Sequence, residues 1–191
     1  LPIVETEAQN ISAYIPTNLI SITDGQIYTS PELFRKGILP AIDAGKSVSR
    51  VGGQAQLISY RKLAGDLKLG YAQFTELENF ARFGATLEES TRKTIEHGRR
   101  IREIFKQDRH RPLPVYDQII VLLAAAAGTF DGIAADRVRE AEDLVRKSVS
   151  EELPETGEKI RAGKLIDNGD RDRILRLAAN VLGGREGEAH V

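Results

Sequence analysis

A chain of 191 residues is long enough for one substantial domain, or for part of a domain followed by a smaller complete one. Its apolar fraction of 41% and formal net charge of -1 exclude a disordered tail and an electrostatic nucleic-acid binder. With no cysteine the chain cannot form disulfides, use thiol catalysis or hold a thiolate metal site, which fits a reducing compartment. Methionine is absent too, and LPIVETEAQN carries no charged-then-apolar leader, so the sequence reads as a piece of a longer protein.

From residue 1 to about Gln56, turn formers recur at short intervals (Pro2, Pro16, Asp24-Gly25, Pro31, Gly37, Pro40, Gly45), with the β-rich runs LISIT and QIY on either side of Asp24-Gly25. This part reads as strands and loops. From Leu57 onward the period becomes helical. Leu63, Leu67, Tyr71, Phe74, Leu77 and Phe80 fall at steps of three and four, which predicts one buried face. Gly65 and Gly70 interrupt that helix and imply a closely packed neighbour or a bend. Thr86 and Glu89 form a capping box opening a second helix near Leu87, with Thr91, Ile95, Gly98, Ile101 and Phe105 as its inner stripe.

Pro112 and Pro114 break that helix, and Pro114 opens a third that ends near Gly128. Its apolar run, Ile119 to Ala127, is far short of the roughly 20 residues that cross a bilayer, and reads as a buried helix segment. Val138, Ala141, Val145, Val149 and Glu152 mark a fourth helix stopped by Pro154, and the acidic EELPETGE reads as its solvated end. A fifth runs through Ile174, Leu177, Ala178 and Val181 to Gly183-Gly184, before a frayed GREGEAHV. The expected fold is therefore mainly α, a bundle of about five helices over 57–191 behind strands and loops over 1–56.

Candidate sites are few. His97, His110 and His190 lack metal-ligand spacing, so no metal ligands are assigned. The basic run RKTIEHGRRIREIFK alternates with the buried stripe and has no aromatic face, against a nucleic-acid partner. Gly45-Lys46-Ser47 imitates the tail of a phosphate loop, but the glycine needed five positions earlier is Pro40, which has no amide to give. Arg50, between valines and ahead of Gly52-Gly53, is left with two readings: a cation projecting from a sheet edge, or an ordinary surface salt bridge.

The runs SAYIPTNLISITDGQIY and ELFRKGILPAIDAGKSVSRVGGQAQ, with AGDLKLGYAQFTELENFARFG, GRRIREIFKQ and PLPVYDQIIVL behind them, resemble the alpha subunit of rotary, F-type ATP synthases along essentially the whole chain. The resemblance implies that residues 1–56 are the end of an α/β P-loop-type nucleotide-binding domain without its P-loop, and that 57–191 are the family's C-terminal helical domain. It implies ATP synthesis or hydrolysis coupled to ion transport, with Arg50 as an arginine finger acting in trans on a catalytic site held by beta subunits. Ser21 matches a serine near the same phosphates and Val48 a residue lining the site. Pro40 and Gln107 match the adenine wall of a second, non-catalytic nucleotide site. There Leu39 and Arg109 replace a usual arginine and glutamine, which removes polar contacts to the base.

ATP or ADP with magnesium is the implied cofactor, its metal ligands outside this chain. Beta subunits in an alternating hexamer and a central-stalk gamma subunit are the implied partners. The implied location is peripheral, on the cytoplasmic face of the membrane, touching it only through the ion-translocating sector. The chain alone is expected to be inactive. Two rivals are a non-catalytic helical interaction module and the regulatory nucleotide-binding subunit of a vacuolar or archaeal rotary ATPase; the SAYIPTNLISITDGQI run favours the synthase.

Overall fold

The computed structural model describes residues 2–81 and 88–183, which divide into two compact units, Leu1–Gln56 and Leu57–Val191. In the first unit, a 3-10 turn (Glu7–Gln9) precedes α1 (Tyr14–Ile22), β1 (Gly25–Gln26), α2 (Pro31–Arg35), β2 (Val48–Ser49) and a second 3-10 turn (Gly52–Ala55). The two strands pair antiparallel with Gly25 opposite Ser49 and Gln26 opposite Val48, and Thr29 bridges to Ile42. Among the described residues of this unit, only Tyr28, Ser30 and Ile38 are buried.

The LISIT run, expected as a strand, is the second half of α1 as far as Ile22, with Thr23 as its C-terminal cap. Its β-branched residues lower helix propensity by only a few tenths of a kcal/mol each, which long-range bonds readily override. Pro16 is accommodated because it lies in the first turn, where no intrahelical donor is needed. At the other end the orphan carbonyls find partners: Thr23 donates to Leu19 O through both its amide (3.0 Å) and its hydroxyl (2.8 Å), and Arg50 donates to Ile20 O and Ser21 O. A residue 29 positions away completes the helix, a term no local period contains.

In the second unit, the described residues form six helices rather than five: α3 (Ile58–Ala81), α4 (Glu89–Phe105), α5 (Val115–Ala126), α6 (Val138–Glu152), α7 (Pro154–Arg161) and α8 (Asn168–Gly183). The α5 helix is central. Ile119, Ile120, Val121, Ala124 and Ala125 are all at most 2% exposed, and the helix packs against α3, α4, α6, α7 and α8. Val138, Val145 and Val149 of α6 and Ile174 and Ala178 of α8 complete the same core.

Pro154 ends α6 as expected but also opens α7, as proline can at the first helical position. The acids Glu155 and Glu158 of EELPETGE are solvated, whereas Thr156, Gly157 and Ile160 turn inward, so the segment is a short core helix as well as a helix end. Ser59, near the start of α3, ties in the link to α8: its hydroxyl accepts from Ile166 N (3.0 Å) and donates to Lys164 O (3.3 Å).

Leu63, Leu67 and Phe74 are buried on α3 as the period predicts, but Phe80 is 61% exposed. The steps from Phe74 to Leu77 to Phe80 each fall about 60° short of a full turn, which rotates Phe80 off the stripe. The close neighbour sought for Gly65 and Gly70 is absent among the described residues, since a Cβ at either would meet nothing within 4 Å. The glycine that does serve close packing is Gly98 of α4, where a Cβ would stand 2.1 Å from Phe74 Cγ. Thr86, Leu87, Gly184 and the GREGEAHV tail lie outside the described residues.

Candidate functional site

The hairpin that carries Arg50 starts from the turn after α1. Thr23 Oγ1 also contacts Gly25 O at 3.1 Å, fixing the corner Thr23-Asp24-Gly25. Gly25 adopts φ +147°, and a Cβ there would lie 2.3 Å from Val48 O, so only glycine allows β1 this approach to β2. Arg50 N then donates to Asp24 O at 2.7 Å, directly after the β2 pairing. The guanidinium returns across the end of α1, with Nη2 3.1 Å from Ile20 O and Nη1 3.4 Å from Ser21 O.

Arg50 is exposed, and among the described residues it forms no ion pair with a carboxylate. Carbonyls at a helix C-terminus carry partial negative charge and suit a cation. They leave most of the five guanidinium donors directed at solvent. Ser21 lies beside it, its hydroxyl donating to Asn18 O (2.7 Å) in the preceding turn. Val48, 48% exposed, sits on the same hairpin opposite Gln26. The fold therefore gathers Arg50, Ser21 and Val48, which are spread over 30 positions of sequence.

The apparent phosphate loop is closed to anions. Asp43 Oδ1 accepts from Gly45 N (2.9 Å) and Lys46 N (3.1 Å), the amides a phosphate would need. Lys46 Nζ lies over the Tyr28 ring at 4.8 Å. Ser47 Oγ accepts from Tyr28 N (3.0 Å) and donates to Asp43 O (2.7 Å). Asp43 was not singled out in the sequence, although Asp-x-Gly is an Asx-turn signal that could have flagged it.

Pro40 is exposed in the first unit, following a cis peptide from Leu39. Gln107 belongs to the second unit, at the edge of a cavity of about 200 Å³ that also touches Tyr60, Phe105, Leu113, Gln118 and Glu142. Tyr60 OH donates to Gln118 Oε1 (3.0 Å), and Gln118 Nε2 donates to Leu113 O (2.7 Å). Burial pushes the Glu142 carboxyl above its ordinary range, with Arg146 opposing part of that rise. Burial likewise raises the Tyr60 phenol. Among the described residues no three acidic or histidine side chains converge where they could hold a metal ion. No described helix is long and apolar enough to cross a membrane.

The nucleotide-binding domain of the ATP synthase alpha/beta family matches residues 1–49, and the C-terminal domain of the ATP synthase alpha/beta chain matches residues 56–181. The chain belongs to the ATP synthase alpha/beta family. ATP synthase subunit alpha 2 of Albidiferax ferrireducens is 58% identical over 182 residues, which cover 95% of this chain and 34% of the relative. The subunit alpha 2 of Syntrophus aciditrophicus is 54% identical over 190 residues, covering 100% of this chain and 36% of the relative. The subunit alpha 1 of Shewanella frigidimarina is 56% identical over 182 residues, covering 95% and 35%. The chain thus spans about a third of the length of the curated relatives it matches. Arg50 itself lies in the short interval, 50–55, between the two matched family segments.

Proposed function

We propose that this chain is the part of an ATP synthase alpha subunit that supplies an arginine finger in trans. Residues 1–56 end its nucleotide-binding domain and 57–191 form its C-terminal helical domain. Arg50 meets the terminal phosphate of a nucleotide held by a neighbouring beta subunit. The supporting observation is the guanidinium's situation: solvent-facing, without a carboxylate partner among the described residues, and docked on main-chain carbonyls next to Ser21.

Phosphoryl transfer spreads charge over the equatorial oxygens of the transferred group, and a planar cation with a fixed fork of donors stabilises that charge where it develops. Because the finger comes from a different chain, catalysis depends on the two subunits closing, which couples chemistry to rotation and so to ion transport. Ser21 lies near the same phosphates and Val48 lines the site. Magnesium is held by groups outside this chain; its own loop at 43–47 does not fit a phosphate, because Asp43 already occupies the amides. Pro40 and Gln107 contribute to a separate adenine wall. The gamma subunit is the rotor, and the assembly is peripheral to the membrane.

Arg50→Ala in the assembled complex should lower turnover about 10³- to 10⁵-fold. Nucleotide affinity should be nearly unchanged; a near-normal rate would overturn the assignment. The purified chain alone should show no ATPase activity above background.

A further inference from the structure

We propose that Asp43 is a positioning residue for Arg50, holding the loop that delivers β2, and with it the guanidinium, to the end of α1. The catalytic consequence rests on the arginine-finger reading, whereas the structural dependence does not.

Three hydrogen bonds close a ring between two stretches of chain. Asp43 N donates to Tyr28 O (2.9 Å), Tyr28 N donates to Ser47 Oγ (3.0 Å), and Ser47 Oγ donates to Asp43 O (2.7 Å). Ser47 N adds a fourth bond to the Asp43 carbonyl at 3.0 Å. Inside this ring the Asp43 carboxylate takes both free amides of the turn, at Gly45 and Lys46. The ring fixes one end of the β1–β2 pairing, and the bond from Arg50 N to Asp24 O fixes the other.

With only two residue pairs between them, the strands have little register information of their own. A slip of one residue would move Arg50 by about 3.3 Å and turn its side chain to the opposite face. The carboxylate opposes such a slip. The two amide bonds it accepts hold the turn, and their loss would free Ala44-Gly45 to leave that conformation. The ion pair of Asp43 with Lys46, at 3.8 Å, is long and half in solvent, so charge is the lesser part of its role. An asparagine, which keeps the acceptor, should therefore substitute for it.

The test uses the full-length subunit in its assembled complex, comparing Asp43→Ala, Asp43→Asn and Arg50→Ala. Asp43→Ala should lower kcat about tenfold to 10²-fold, the cost of a misplaced catalytic group, with KM for magnesium-ATP within about twofold. Amide hydrogen exchange in peptides containing Tyr28 and Arg50 should accelerate in Asp43→Ala. Asp43→Asn should match the wild type in rate and exchange. If Asp43→Ala does not assemble, Asp43→Ser, a weaker former of the same turn, should show an intermediate loss. Wild-type kcat and exchange in Asp43→Ala, or equal damage in Asp43→Asn, would overturn the proposal. If Arg50→Ala leaves turnover intact, the finger reading fails, and exchange at Arg50 in Asp43→Ala still decides whether Asp43 positions it.

Discussion

The two units hold their shapes by different means. In Leu57–Val191, α5 is enclosed by five other helices and buried apolar side chains form one continuous core. In Leu1–Gln56, Ile22 is 79% exposed and Ile27 68%, and the conformation is held by turns, a two-residue ladder and main-chain hydrogen bonds. Burial is the dominant favourable term in folding, so packing dictates the second unit and a small set of directional bonds the first. The candidate site lies in the part that packing controls least.

Core truncation should separate the units most. Ile120→Ala in α5, fully buried, should lower the unfolding free energy of the second unit by about 2–5 kcal/mol in chemical denaturation. Ile22→Ser or Ile27→Ser in this same chain should change it by less than about 0.5 kcal/mol. Comparable losses at both positions would break the contrast. Gly98→Leu should cost about 1–3 kcal/mol by displacing Phe74, visible as a lower denaturation midpoint and altered aromatic signals.

Two buried carboxyls give the second unit opposite responses to pH. Burial pushes Asp170 upward, but hydrogen bonds from Lys159 (2.7 Å) and Arg173 (2.6 Å) outweigh it and hold the carboxyl below its ordinary value. Its contribution is present above the unfolded value of about 3.9 and is lost as pH falls through the folded one. Glu142 is shifted upward by burial, so it favours folding when protonated and opposes it increasingly as pH rises from about 4.3. Asp170→Asn should therefore weaken the unit by about 1–3 kcal/mol at pH 7, with a smaller deficit in acid. Glu142→Gln should raise the midpoint at pH 7 by more than it does at pH 4. Among the stabilising changes, Gly65→Ala and Gly70→Ala should each strengthen the helix by about 1 kcal/mol, because a Cβ there meets no neighbour.

The sequence was informative where burial controls structure. The stripes of α3 and α4 and the punctuation around α5 follow from periodicity and from proline and glycine. It misled where a distant or dual-purpose residue decides. LISIT looks extended until Thr23 and Arg50 complete its helix, and Pro154 both stops α6 and starts α7. At the site, the missing glycine at Pro40 argues against a phosphate loop, and Asp43 engages the amides such a loop would use. The docking of Arg50 on α1 could not be read locally, because its acceptors belong to a helix that the local pattern does not predict.

Those acceptors are peptide oxygens, which every amino acid carries. Exchanging Ile20 or Ser21 for another helix-compatible residue leaves the landing place of the guanidinium in existence. The seat of this cation is thus inherited through the path of the chain rather than through the identity of its neighbours. Substitutions along LISIT can alter the surface around the guanidinium while the arginine stays at its post.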